Sequence, residues 1–288
     1  MILAALLLAT QGYSPETDAV MDRSRARAAE KRGAAREAAT ATLPVPPVVS
    51  PKFQACLDAG TTKAEDGISF AEAWRIDGGG YRARECLGFS YARAERWAPA
   101  LVAYEQAADA AERGGDTAEG ARLWAQAGNA AMAGGDAAKA RKDFDAAIAR
   151  GLPDGLGKGE VYLDRARALV ALGETTPARA DLDDALTMAP QDPLAWLLSA
   201  TLARRMNDFP LAQKHIAQAV RLSPDDASVA LEEGNIAVLT SQDDIAKAAW
   251  QRAIRLSPDS AAGKAATANL AELAATRPPT TRPAPAKP

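Results

Sequence analysis

Three stretches decide the fold: PARADLDDALTMAP at 177–190, LAQKHIAQAVRLSP at 211–224 and IAKAAWQRAIRLSP at 245–258. Aligned, they put Ala178, Ala212 and Ala246 in one column, Ala185, Ala219 and Ala253 in a second, and Pro190, Pro224 and Pro258 in a third, at a constant spacing of 34 residues. Between the alanines stands a bulky apolar residue: Leu182, Ile216 or Trp250. A small-xxx-large-xx-small pattern followed by proline, recurring every 34 residues, predicts stacked helix-turn-helix units. Such an array is a binding surface more often than a catalyst.

The best-formed repeats run over 159–192, 193–226 and 227–260. In the second, Pro193 stands at a helix start, where its missing N–H does no harm. Trp196, Ala200 and Ala203 then recur at helical spacing. Asn207 and Asp208 make the turn, Ala212, Ile216 and Ala219 form the second buried stripe, and Ser223-Pro224-Asp225 ends the unit. Upstream, Trp124, Gly128, Ala140, Phe144 and Ala147 mark a unit at 121–155, and the loop 151–157 stretches the spacing there to 38. Leu87, Gly88, Tyr91, Ala100, Tyr104 and Ala107 mark another at 81–118. Residues 51–78, with Phe70, Trp74 and the break Gly78-Gly79-Gly80, read as a degenerate first unit, and 261–275 as a terminal helix shielding the last apolar face.

Composition agrees. Hydrophobic residues make up 48% of the 288 but aromatics only 5%, so much of the apolar content is alanine. That suits helices packed through small residues and not a β-sandwich. A net charge of −3 lacks the basic excess of a nucleic-acid binder. No run of 18 apolar residues is present to span a membrane.

The flanks differ from the array. Residues 1–12 resemble the apolar core of an export signal, although only Met1 precedes the run where a positive segment belongs; a periplasmic or envelope location is expected, a cytoplasmic one otherwise. Residues 13–50 are an Ala/Arg/Glu-rich stretch and then a proline-rich linker. The repeat domain is placed at 51–275, and 276–288 reads as a disordered proline-rich tail. Cys56 and Cys86 stand in matching Cys-Leu contexts, and an even count in an exported chain suggests a disulfide. Equivalent positions on neighbouring stacked helices lie roughly 8–10 Å apart, beyond the ~7 Å a disulfide spans. The pair therefore requires a distorted first repeat; two buried thiols are the alternative.

Little in the chain carries chemistry. His215 is the single histidine, placed by the pattern near an outer face, so a histidine-dependent triad, a metal site or a bound cofactor is not expected. The adjacent carboxylates Asp183-Asp184, Glu232-Glu233 and Asp243-Asp244 diverge on a helix and read as solvated. Gly78-Gly79-Gly80 and Gly114-Gly115 lack the phosphate-loop frame. Trp74, Trp124, Trp196 and Trp250 occupy core slots; Trp97, before Pro99, has no assigned place.

The Trp/Leu, Gly/Tyr, Ala, aromatic, Ala and Pro slots together resemble the tetratricopeptide repeat family over about residues 51–275, with a bacterial cell-envelope setting in view. The resemblance implies an all-α fold: a right-handed α-α superhelical solenoid of about six helix-turn-helix repeats with a C-terminal capping helix. It also implies that first helices line a concave groove that holds an extended peptide or a helix of a protein partner. Rotated off the buried stripe, the groove positions are Arg82, Phe89 and Arg93; Arg122, Asn129 and Met132; Leu163 and Arg167; Leu197, Thr201, Arg204 and Arg205; Leu231, Asn235 and Val238. Asn129 and Asn235 each follow a glycine, and an amide can hold a peptide backbone. The arginines favour an acidic segment or a carboxylate. The two-carboxylate clamp of chaperone-binding members is not carried over, because Ala125, Asp164 and Leu198 stand at its positions. A non-catalytic scaffold in envelope assembly is expected; alternatives are an assembly factor using its convex face or termini, and an accessory domain to a cell-wall-acting enzyme.

Overall fold

The computed structural model describes residues 50–152 and 156–276. The export segment, nearly all of the linker and the tail beyond Thr276 lie outside them. The described residues hold thirteen helices: α1 (Pro51–Thr62), α2 (Ala64–Ile76), α3 (Gly80–Arg93), α4 (Trp97–Arg113), α5 (Thr117–Ala133), α6 (Ala137–Ala149), α7 (Leu156–Ala171), α8 (Thr175–Met188), α9 (Pro193–Arg205), α10 (Phe209–Leu222), α11 (Ala227–Leu239), α12 (Asp243–Leu256) and α13 (Ala261–Thr276). The described residues form an all-α helical-repeat solenoid of six helix pairs followed by a single helix. Described residues 50–190 and 191–276 form two compact units.

In the unit 50–190, four pairs pack in sequence, each helix on the next. Side chains just before a helix accept its otherwise unmet first amides: Ser50 from Phe53 N at 3.2 Å, Asp116 from Glu119 N at 3.1 Å, Asp136 from Lys139 N at 2.9 Å. The turns need a left-handed residue, supplied by Gly115, Gly135 and Gly173 at φ 84°, 82° and 78°. In the unit 191–276, Asp192, Asp208 and Asp226 cap α9, α10 and α11. Asn207 and Ser241 hold the turns at φ 61° and 60° without glycine. The 34-residue period survives in the coordinates: α9, α11 and α13 begin at Pro193, Ala227 and Ala261. Helix α7 begins at Leu156, inside the stretch 151–157 expected as a loop.

Within a repeat, the first helix meets the second through one matched pair. A Cβ added to Gly128 would lie 2.6 Å from Cε1 of Phe144, and one on Gly88 would lie 2.9 Å from Tyr104. At Gly234 it would overlap the indole of Trp250. Where the second-helix residue is Leu182 or Ile216, the first-helix position is Ala166 or Ala200, and all four are buried. Glycine opposite an aromatic ring and alanine opposite an aliphatic chain keep the volume between the helices constant, as close packing requires.

Cys56 of α1 and Cys86 of α3 are joined by a disulfide with Cα atoms 6.3 Å apart. The objection from helix spacing fails because three small residues let α1, α2 and α3 converge. A Cβ on Gly67 would overlap both Gly60 Cα and Ser90 Oγ, and one on Gly60 would stand 2.7 Å from Ser90 Oγ. Both cysteines are fully buried in a cluster with Phe53, Ile68 and Trp74.

His215 corrects another expectation. It is only 5% exposed, on α10, with Nδ1 2.5 Å from Ser199 Oγ of α9 and its ring edge-on to Trp196 at 5.1 Å. Ser199 is itself fully buried, so the pair is a polar bridge between two helices and not a surface histidine. Trp124 and Trp196 are half-buried rather than core. Trp97, unassigned by the pattern, opens α4 and lies against Gly134.

Candidate functional site

On the first-helix face of the unit 50–190, Arg82 and Glu85 of α3 meet Glu119 and Arg122 of α5. Arg82 Nη1 donates to Glu85 at 2.8 Å and to Glu119 at 2.5 Å; Arg122 Nη2 donates to Glu119 at 2.6 Å and also to Glu85. The result is a square of alternating charge. Burial pushes the Glu119 carboxyl up, but Arg122 and Arg82 outweigh it and hold the group below the ordinary carboxylate value. Arg82 also lies over the rings of Tyr81 and Phe53, 4.9 and 5.1 Å from their centroids. The sequence signal for this square was present. Positions 82 and 85 read Arg-x-x-Glu, and 37 residues on, positions 119 and 122 read Glu-x-x-Arg, so equivalent positions on adjacent first helices exchange charge.

Next along α5, Asn129 is half-buried, and its Oδ1 is fully covered and accepts no hydrogen bond among the described residues. Met132, one turn on, packs half-buried against the cluster around Phe144. Phe89 of α3 is half-buried beside Gly60, and Arg93 is exposed. Leu163 and Arg167 of α7, expected to line the groove, are corrections: they are 3% and 6% exposed, and Arg167 is paired with Asp164 at 3.2 Å. The helical angle that points Asn129 outward on α5 buries these two on α7.

In the unit 191–276, Leu197, Thr201, Leu231 and Val238 are half-buried and Arg205 is exposed. Thr201 Oγ1 donates back to Leu197 O at 2.9 Å. Arg204 of α9 holds Glu232 of α11 through two bonds, 2.6 and 3.2 Å. Glu232 is therefore buried, 6% exposed, against the expectation of a solvated pair, while its neighbour Glu233 turns away to Arg252 at 2.7 Å. The acceptor of Asn235 is saturated: its Oδ1 accepts from Trp250 Nε1 at 3.1 Å and from Asn269 Nδ2 at 2.9 Å, and its Nδ2 donates to Glu232 at 3.2 Å. Asn269 belongs to α13, so the terminal helix already occupies the amide that sequence reasoning offered to a peptide.

Second helices carry their own buried charges. Asp143 of α6 is 2% exposed and bonded to Lys139. Burial pushes its carboxyl up to about 6 despite Lys139. Glu112 accepts from Trp124 Nε1 at 2.6 Å and from Arg150, whose guanidinium covers the Trp124 ring at 5.1 Å. No group of three His, Cys, Asp or Glu side chains among the described residues is arranged to hold a metal ion, and no helix among them is long and apolar enough to cross a membrane.

Comparison with known proteins agrees with this geometry. Two tetratricopeptide repeat models match residues 159–202 and 197–261. No curated protein sequence matches the chain. Among solved structures, pilF of Pseudomonas aeruginosa is similar with TM-score 0.61 and 16% identity, covering 76% of this chain and 97% of its own. YrrB, a tetratricopeptide repeat protein with an unusual peptide-binding site, is similar with TM-score 0.53 and 17% identity, over 68% of this chain and 96% of its own. A MamA fragment from Desulfovibrio magneticus RS-1 is similar with TM-score 0.53 and 16% identity, over 61% of this chain and 94% of that one. At such identities these likenesses speak for the fold, and repeats of this kind generally mediate protein–protein contacts. Residues 159–261 match tetratricopeptide repeat models, and the 34-residue spacing of helix starts and the small-against-large pairing in five of the six described helix pairs support reading the array as tetratricopeptide repeats.

Proposed function

We propose that this protein is a non-catalytic scaffold that holds an extended segment or a helix of a partner protein on the first-helix face formed by α3 and α5. The observation that carries this reading is Asn129. A covered acceptor with no donor costs about 1–3 kcal/mol, and a backbone N–H brought by a partner, with a small rotation of the amide, recovers it. The acceptor of its counterpart Asn235 is saturated from within, so the open acceptor lies on α5 and not on α11. Phe89 and Met132, both half-buried, supply apolar contact on either side.

The charge of the partner follows from the ion pairs. Arg82, Arg122, Arg167 and Arg204 each hold a carboxylate of this chain. Of the groove arginines only Arg93 and Arg205 are exposed. An acidic partner gains little from a face whose charge is already balanced, so shape and backbone hydrogen bonding dominate recognition. A cell-envelope setting is part of the proposal; a buried disulfide, of the kind that persists in oxidising compartments, supports it.

The test compares wild type with Asn129→Ala in affinity capture from the native host, beside a thermal melt of each. Removing an orphan acceptor leaves stability unchanged or raised. Loss of a captured protein with an unchanged melt supports the reading. Recovery of the same proteins by both chains removes Asn129 from the binding face.

A further inference from the structure

The C-terminal end of the array is an open helix edge. Helix α13 begins 34 residues after α11 and so occupies the first-helix position of a further repeat. Its inner side, Ala262, Gly263, Ala266 and Leu273, is buried on α11 and α12, and Asn269 bonds to Asn235. Its outer side behaves differently from that of α11. Ala230, Gly234 and Ala237 of α11 are buried by the second helix α12, but their counterparts on α13, Lys264, Ala268 and Ala271, are all exposed. A second helix is what this face is built to receive. The first helix of the array ends in the opposite way, with Lys52, Gln54, Asp58, Thr61 and Thr62 exposed on α1, the polar outer face a terminal repeat needs.

We propose that the outer face of α13 pairs with the same face of a second copy of this chain, antiparallel, about a twofold axis at Ala268. Charge complementarity selects this occupant. The two charged side chains of the face, Lys264, exposed, and Glu272, half-buried, form no ion pair within the described residues and lie four residues either side of Ala268. In an antiparallel pair each lysine meets one glutamate of the second copy, so the ion pair forms twice by symmetry. The same operation sets Ala268 against its own copy, Ala265 against Ala271, and Ala261 against Ala275. Alanine on both sides lets helix axes approach to the lower end of the roughly 8–10 Å range. A twofold interface of this type closes on itself and builds no filament. It is one helix long, so the association is weak and depends on concentration.

Sedimentation equilibrium of the purified full chain tests it, with Lys264→Glu, Glu272→Lys and the double variant Lys264→Glu/Glu272→Lys. Each single variant places like charges opposite each other and shifts the chain to monomer. The double variant restores the dimer, and so does an equimolar mixture of the two single variants, which pair only with each other. Circular dichroism of each variant confirms that the fold is kept. A wild-type monomer at every concentration up to about 1 mM overturns the proposal. So does a dimer indifferent to all three variants, which lies elsewhere, or a different protein co-purifying on this face and lost on charge reversal. None of these outcomes bears on Asn129, which lies on α5.

Discussion

Gly128 and Phe144 offer a sharp test of how the repeats are held. A Cβ at position 128 would stand 2.6, 2.7 and 2.9 Å from three atoms of the Phe144 ring, which is fully buried. The ring cannot retreat, so α5 and α6 must separate, an overpacking cost of about 1–3 kcal/mol. Alanine is the better helix former by about 1 kcal/mol, so Gly128→Ala should lose about 2 kcal/mol at the upper end of the clash. Phe144→Leu alone should cost about 1 kcal/mol through the volume it leaves. The double variant reproduces the combination at Ala166 and Leu182, where both residues are buried. There the added methyl fills space and the helix propensity is recovered. Gly128→Ala should then be neutral or stabilising by up to about 1 kcal/mol, a coupling between the two sites of about 2–3 kcal/mol. Urea unfolding of the four chains measures it through the midpoint at constant slope. An equal loss from Gly128→Ala in both backgrounds would falsify the matched-volume account.

Three further outcomes follow from the same structure. Asp143, with Lys139, Glu105 and Asp136 around it, has a folded-state carboxyl pushed up to about 6 from 3.8. The native state holds the proton more tightly, so its contribution is intact below pH 4 and falls as pH rises through 6; Asp143→Asn should gain midpoint over wild type across that window and hold the gain above it, and parallel curves refute this. Replacing both Cys56 and Cys86 by alanine opens a loop spanning 30 residues, a loss of about 3–4 kcal/mol by chain entropy. Hydrogen exchange should place that loss in α1 to α3, and uniform loosening over 50–190 would contradict the local staple. Arg204→Ala strands the buried Glu232 carboxylate, at about 3 kcal/mol; restoration of most of that loss by adding Glu232→Gln identifies the stranded charge as the cause, and no restoration assigns it to packing.

How far the sequence reaches is visible residue by residue. The columns Ala178/Ala212/Ala246 and Leu182/Ile216/Trp250 specify the helix pairs, their period and the terminal helix, because burial of a helix stripe depends on side-chain size at fixed spacing and on nothing remote. The groove list fared differently. Phe89, Asn129 and Met132 reach the surface of the unit 50–190, while Leu163 and Arg167 are buried, since a few degrees of helix rotation decide on which side of a boundary residue a neighbour packs. Partner choice among polar side chains was equally remote. Asn235 and Asn129 follow a glycine in the same way, yet one has its acceptor saturated by Trp250 and Asn269 and the other has an open acceptor. Cys56 and Cys86 became bonding partners only because Gly60, Gly67 and Ser90 lie on three helices at one crossing. Periodicity along one chain therefore determined which helices form and which stripe each buries. Which arginine meets which carboxylate, which amide stays open and which helix face has no partner depended on contacts between residues some 16 to 38 positions apart, set by the packing angle of helices that local spacing does not encode.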